Sequence, residues 1–294
     1  MEFIKAKTIL SKVKYGDEWY GVDYNMNLYR GCPHGCIYCD SRSNCYHIDN
    51  FDIPKGKENA INILEKELSK NKRGIVGIGS MSDTYNPMEK TYEQTRNALK
   101  LIEKYNYGVS IDTKSDLILR DIDILKEINK NNNVIIKFTI TTPNDKLSKI
   151  IEPNVCVSSK RLEAIKTLND NNIFTGIMLN PVLPFITDKE EDIKELVRLA
   201  HEYKAKFIHT YMGMTLRENQ RDYYYNKLDN NFKGIKEKYI KYYKNNYMCA
   251  VPNYKKLYKI FKEECDKYGI LYNMKDIIKA YKKEIKENEQ ISLF

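Results

Sequence analysis

The sequence predicts an α/β protein: a partial (β/α)6 barrel of the TIM type followed by a helical C-terminal extension. Three observations predict it. Short β-branched runs alternate with amphipathic helical stretches from Gly74 to Met212. With YNMNLYR ahead of the cysteines, six runs can be counted, fewer than a closed barrel needs. After Met214 the chain turns polar and helical. Alternation of this kind argues for a parallel sheet whose crossovers are helices.

The elements follow in order. YNMNLYR (Tyr24–Arg30) reads as the first strand, and GIVGIGS (Gly74–Ser80) as the second. YGVSIDT (Tyr107–Thr113), VIIKFTI (Val134–Ile140), FTGIMLN (Phe174–Asn180) and AKFIHTYM (Ala205–Met212) complete the six. Among the helices, Ile193, Leu196, Val197 and Ala200 fall at i, i+3, i+4 and i+7, one apolar face. Another is expected from Arg161 to about Asn169, with Ser158 and Ser159 before it as N-cap candidates. No internal repeat and no Pro- or Ser-rich linker is visible. The expected division is therefore residues 1–214 as barrel with its lead-in, and 215–294 as an extension packed on it.

Composition narrows the function classes. Apolar residues make up 42% of the 294, enough for a sizeable core. No window approaches the about 20 apolar residues of a membrane span. The opening MEFIKAKTILSKVK scatters lysines and lacks an apolar h-region, so no secretory signal is read there, and a cytosolic, reducing setting without a membrane partner is expected. The net charge is +9, and residues 201–294 hold 20 Lys and Arg against 12 Asp and Glu, so +8 of it lies in the last third. Lysines interleaved with tyrosines there suit a polyanion with stackable bases. A solvated helical surface in a Lys-, Asn- and Tyr-rich chain is the plainer reading.

The chemistry concentrates in YRGCPHGCIYCDSR, which spaces Cys32, Cys36 and Cys39 as C-x3-C-x2-C. Structural zinc takes four closed ligands, commonly from two cysteine pairs, and the second pair is absent. Cys45 or His47 would have to complete such a knot, with His34 inside the loop. An iron–sulfur cluster is the sharper reading. Three thiolates leave one iron of a four-iron cluster open to a small ligand. The loop follows the first strand, where parallel α/β folds place their sites.

C-x3-C-x2-C after the first strand of a six-unit barrel, with aromatic Tyr38 before the third cysteine, resembles the radical S-adenosylmethionine (SAM) superfamily. The likeness continues through KTILSK, GVDYNMNLYRGCPHGCIYCDSR, SDTYNPME, TKSDLILRDIDIL, IEPNVCVSSKRLEAI and GIMLNPVLPFITD, roughly Lys7 to Asn231. Those segments resemble the subfamily containing spore photoproduct lyase and the proteins loosely called DNA repair photolyases. The resemblance implies a 4Fe-4S cluster on Cys32, Cys36 and Cys39 that reductively cleaves SAM to a 5′-deoxyadenosyl radical. It implies SAM contacts from Ser82, with Asp83 behind it, from Lys114 at the carboxylate and from Tyr38 near the adenine. Thr139, Thr141, Arg161 and Asn180 are implied as further polar contributors. An external electron donor such as flavodoxin or ferredoxin and a monomeric chain are also expected.

Two positions depart from spore photoproduct lyase. Its hydrogen-donor cysteine falls at Ser80 here, and its tyrosine after the third cluster cysteine falls at Asp40. An alcohol O–H bond is too strong to replace a thiol as hydrogen-atom donor, so repair of that photoproduct is not expected; Cys45 is the candidate thiol from another direction. The substrate expected is nucleic-acid or nucleotide-like. A peptide or small molecule under the same chemistry, and a zinc-stabilised nucleic-acid-binding protein, are the alternatives.

Overall fold

Runs such as VIIKF are buried on both faces, and only a sheet covered on both sides accommodates them. In the computed structural model, which describes residues 2–14 and 18–283, they form such a sheet. Its strands are β2 (Leu10–Lys12), β3 (Tyr24–Met26), β6 (Ile75–Ile78), β7 (Gly108–Thr113), β8 (Val134–Thr139), β9 (Phe174–Leu179) and β10 (Ile208–Thr210). They lie in the order β10-β9-β8-β7-β6-β3-β2, all parallel except β2 against β3. Six parallel strands in near-sequential order, with β2 on the β3 edge and a bridge from Phe207 to Leu271 beside β10 in place of a β3–β10 pairing, are the open barrel the alternation predicts.

Helices cover the outer face: α1 (Ala60–Leu68), α2 (Glu89–Tyr92), α3 (Gln94–Lys104), α4 (Ile122–Asn131), α5 (Asp145–Ile151), α6 (Ser158–Asp170) and α7 (Glu190–Glu202). Outward strand residues Val109, Ile111, Ile136, Phe138 and Ile177 share one core with the apolar stripes of these helices. Burying each such side chain contributes roughly 1.5–3 kcal/mol. Inside, Tyr20, Val22, Ile75, Ile135, Phe207 and Tyr281 pack into a floor at the N-terminal end of the strands.

Three local expectations change. Tyr24–Arg30 is two strands, because after Met26 the chain leaves the main sheet and β4 (Tyr29–Arg30) joins β1 (Phe3–Ile4) and β5 (Lys55–Lys57) in a separate sheet. Helix α6 starts at Ser158 rather than after it, since Asp145 of α5 accepts the Ser159 N–H (2.9 Å) and does the capping. The sixth strand is only Ile208–Thr210; Met212 adopts a left-handed conformation that ends it.

Beyond β10 the chain makes β11 (Gly213–Thr215), α8 (Gln220–Asn231), α9 (Ile235–Tyr243) and β12 (Met248–Ala250), with β11 and β12 antiparallel. Met214, Leu216, Tyr224, Tyr239 and Cys249 from this segment share a second core with Cys36, Ile37 and Tyr38. Then α10 (Tyr254–Tyr268) returns to the barrel beside α7 and buries Leu257 and Phe261 in the main core, and α11 (Met274–Tyr281) adds Ile277 to the floor. The barrel wall and the cysteine loop are thus each finished by C-terminal residues.

Candidate active site

The cysteine loop leaves β4 through Gly31, whose φ of +81° suits glycine and where a Cβ would sit 2.7 Å from the Phe51 carbonyl. That carbonyl accepts the Cys32 N–H at 2.7 Å. The loop is then stitched to the barrel mouth. Ser82 Oγ donates to the Gly31 carbonyl at 2.5 Å, Ile37 N–H to Ile151 O at 3.0 Å, and Asn154 Nδ2 to Pro33 O at 2.9 Å. Cys32 and Cys36 are buried and Cys39 half-buried, and none is in a disulfide. Burial pushes all three thiols up, Cys32 to about 12; Cys39 raises Cys32 and Cys36 further, and Lys114 pulls Cys36 and Cys39 back down. A metal group bound there would take the proton's place and hold them as thiolates.

Behind them Asp83 organises the ends of β6 and β7. Its carboxylate accepts Thr113 Oγ1 (2.8 Å), the Lys114 N–H (2.7 Å) and the Tyr85 N–H (2.9 Å), and lies 3.5 Å from His34 Nδ1. The chain reaches it through a sharp turn at Gly79, φ +97°, where a Cβ would fall 2.1 Å from the Asp112 carbonyl. Lys114 sits just past β7 with its Nζ 5.9 Å from the Tyr38 ring centroid. Burial works against its charge, but Cys36, Glu152 and Asp83 outweigh burial and hold its pKa above the usual lysine value. A cation held beside three thiols is where a carboxylate-bearing ligand can be met.

Tyr38 is fixed from three directions. Its hydroxyl donates to Glu152, its carbonyl accepts Gln220 Nε2 at 2.9 Å, and its ring faces Lys114. Glu152 is ion-paired to Arg161, with both side chains at 0% exposure. Arg161 also donates to the carbonyls of Thr139 (2.9 Å) and Cys156 (2.6 and 2.9 Å). Its guanidinium is committed to that network, so its influence on the site passes through Glu152 and Tyr38.

The other expected residues are distributed around the same mouth. Thr139 ends β8, and Thr141 beyond it has a buried Oγ1 that meets no hydrogen-bond partner among the described residues. Asn180 follows β9, half-buried, ahead of a cis bond to Pro181. Ser80 is exposed. Asp40 is taken by Arg217 Nε (2.9 Å), Thr215 Oγ1 (2.7 Å) and Tyr46 (3.0 Å). Cys45 is exposed, 3.9 Å from Arg217 Nη1, and His47 is exposed too. Among the described residues no three His, Cys, Asp or Glu side chains converge on one ion position.

The sequence reading passed over Glu152, Gln220 and Asn154. Glu152 lies 114 residues from the tyrosine it holds, and Gln220 182 residues from it. No local spacing marks either.

Known proteins resemble the chain in family and in fold. The family model described as the radical SAM superfamily matches residues 26–200. An uncharacterized protein of Methanocaldococcus jannaschii is 35% identical over 208 residues, 70% of this chain and 76% of its own length. One of Mycobacterium tuberculosis is 26% identical over 209 residues, and this chain spans 61% of it. Among solved structures, a spore photoproduct lyase variant superposes with a TM-score of 0.68 at 12% identity, covering 90% of this chain and 78% of that one. A variant with bound AdoMet and dinucleoside spore photoproduct gives 0.66 at 14% identity, again over 90% and 78%. At these identities the likeness is one of fold.

Proposed function

The chain belongs to the radical SAM superfamily, and from that premise we propose that it is an enzyme taking a hydrogen atom from a nucleic-acid or nucleotide-like substrate. The observation that carries the reading is the loop of three buried or half-buried thiols at the barrel mouth with the Lys114 cation beside it. Cys32, Cys36 and Cys39 would hold the 4Fe-4S cluster, and Lys114 would pair with the carboxylate of SAM. Ser82, Tyr38, Thr139, Thr141 and Asn180 would line the rest of its site, with Arg161 positioning Tyr38 through Glu152. When bound, cluster and SAM supply a carbon-centred radical once an external donor such as flavodoxin or ferredoxin provides the electron. The protein's own task is orientation and exclusion of water. The wall of β11, α8 and α9 against Tyr38 serves that exclusion.

Repair of spore photoproduct is not part of the proposal. Ser80 offers no thiol, and Asp40 is engaged as an anchor for Arg217 and Thr215. Formation of thymines from a spore photoproduct dinucleotide would overturn that exclusion.

The test is anaerobic reconstitution with iron and sulfide, reduction in the presence of SAM, and assay of 5′-deoxyadenosine. A Cys32→Ala, Cys36→Ala, Cys39→Ala triple variant is the control. Cleavage by the wild type alone supports the reading. Stoichiometric zinc with no cluster would replace it with a metal-stapled binding protein.

A further inference from the structure

Between Lys238 and Lys262 the chain carries seven lysines and six tyrosines, and no aspartate or glutamate. A plain surface helix pairs its charges and turns its rings inward, and part of this stretch does so. Tyr239 and Tyr243 are buried, and Lys256 meets Glu190. The remainder stays outside. Tyr247, Met248 and Tyr254 are 40%, 49% and 41% exposed, and Tyr211 joins them from the end of β10 at 38%. Lys244 and Lys255 are exposed, and neither is in an ion pair among the described residues. The rings form one track. The Arg217 guanidinium lies 5.9 Å from the Tyr46 ring centroid and 4.7 Å from that of Tyr247, and its Nη2 donates to the Tyr247 hydroxyl at 2.6 Å. The Tyr211 hydroxyl reaches Met248 Sδ at 3.7 Å. The Tyr211 pKa is raised by partial burial and then by Tyr254, Cys249 and Tyr247, so both other rings stand near it. Tyr254 in turn stacks on Tyr258 at 5.7 Å, with the planes 8° apart. The track thus begins beside Asp40, the residue after Cys39, crosses the ribbon of β11 and β12, and ends on α10.

The chemistry of the partner follows from what the track offers. A run of lysines with no acid among them selects a polyanion. A membrane-binding helix inserts an apolar face, and α9 and α10 have theirs buried in the two cores. A protein interface concentrates its anchors in one desolvated centre, whereas these rings are strung out with cations between them. Nucleic acid repeats both features, a phosphate and a flat base at every step. In a duplex the base faces cover one another, and only a single strand offers them to tyrosine rings. We propose that the track from Arg217 through Tyr247 and Tyr211 to Tyr254 holds a single strand of nucleic acid, its bases on the rings and its phosphates on Lys244 and Lys255. Arg217 stands beside the cysteine loop and Tyr211 follows the C-terminal end of β10. A strand on the track would therefore run along the rim of the barrel mouth, where parallel barrels do their chemistry.

This inference rests on the nucleic-acid reading proposed above and narrows it to one strand. Its test is fluorescence anisotropy of the reconstituted, anaerobic protein with three labelled probes. They are an oligothymidylate of about 15 nucleotides, an abasic strand of the same length, and the oligothymidylate annealed to its complement. The oligothymidylate should bind more tightly than the abasic strand by about fivefold to a hundredfold for each stacked base, and more tightly than the duplex. Tyr254→Ala should lose one such factor on the oligothymidylate and none on the abasic strand, and Tyr254→Phe, which keeps the ring, should restore it. Lys244→Gln and Lys255→Gln should each flatten the logarithmic salt dependence by about 0.7. Equal binding of the thymidylate and abasic strands overturns the proposal and leaves a merely charged surface. Preference for the duplex overturns it too, and no binding of any probe would make the rings a protein-docking face. An unchanged preference in Tyr254→Ala would move the strand off this track; should that variant fail to fold, the lysine variants locate the strand. A preparation that forms 5′-deoxyadenosine yet does not distinguish the probes removes this inference alone; one that distinguishes them without cleaving SAM removes the enzymatic reading alone.

Discussion

Toward the barrel, the cysteine loop meets buried ions; toward the segment of β11, α8, α9 and β12, it meets half-exposed pairs and tyrosines. On the first side Arg161 and Glu152 are wholly buried, Asp83 takes four polar neighbours, and Ser82 and Asn154 bind loop carbonyls directly. On the second, Arg217 and Asp40 are 35% and 34% exposed, and cohesion comes from rings such as Tyr224 and Tyr239, hydroxyl to hydroxyl at 3.0 Å. A buried ion broken on one side only is costly, because its partner has nowhere to find water. An exposed pair is replaced by solvent at little cost. The barrel side therefore fixes where the loop is, and the other side closes over it.

Arg161→Met breaks this contrast most severely. It strands the Glu152 carboxylate, and the expected loss is about 3–5 kcal/mol, lowering the melting temperature by about 10 °C for a chain of this size. The double variant Glu152→Gln, Arg161→Met removes both charges and should recover most of that loss. Thermal unfolding of the three proteins reads the result. A single variant no worse than the double would mean that Glu152 finds water, and that the barrel side is no firmer than its counterpart.

Lys114→Met sharpens the comparison by separating binding from stability. Lys114 is partly exposed and makes its attractions across space rather than through a buried pair. SAM affinity should fall about tenfold to a hundredfold, the worth of one charged hydrogen bond, while iron content after reconstitution stays at the wild-type level. Dialysis against SAM and iron analysis check the two halves. A loss of iron instead would place Lys114 among the supports of the loop.

How much of this was legible before the fold was known follows the same division. Cys32, Cys36 and Cys39 share one loop, so their spacing alone drew attention to them, whereas Ser82 and Lys114, just beyond strand ends, were singled out only through the family resemblance. Glu152, Asn154 and Gln220 act on residues more than a hundred positions away, and a lone carboxylate or amide in sequence carries no mark of its partner. Five of the six runs read as strands because each is short and carries β-branched residues; Tyr24–Arg30 has none, and it held two strands because nothing in NMNLY announces a change of sheet.

Arg217→Ala tests the outer side. Removing a half-exposed guanidinium from Asp40 should cost at most about 1 kcal/mol, with Thr215 and Tyr46 still bound to the carboxylate. The difference from wild type should vanish in about 1 M salt, where screening reaches about 3 Å. A loss as large as that of Arg161→Met, insensitive to salt, would show the outer side to be as rigid as the inner.

The smallest effect belongs to Cys45→Ser. Cys45 is exposed and stands beside Arg217 on that same outer side, beyond Asp40. A hydrogen donor to a radical must reach a site from which water is kept out, and an exposed thiol on the solvent side of the closing segment does not. SAM cleavage and cluster content should match the wild type within experimental scatter. If 5′-deoxyadenosine formation persisted but turnover of a nucleotide substrate collapsed, Cys45 would be the thiol that Ser80 cannot be. The outer segment would then have to open during the reaction to bring Cys45 in, a motion that its half-exposed contacts permit and the buried ions of the barrel side do not.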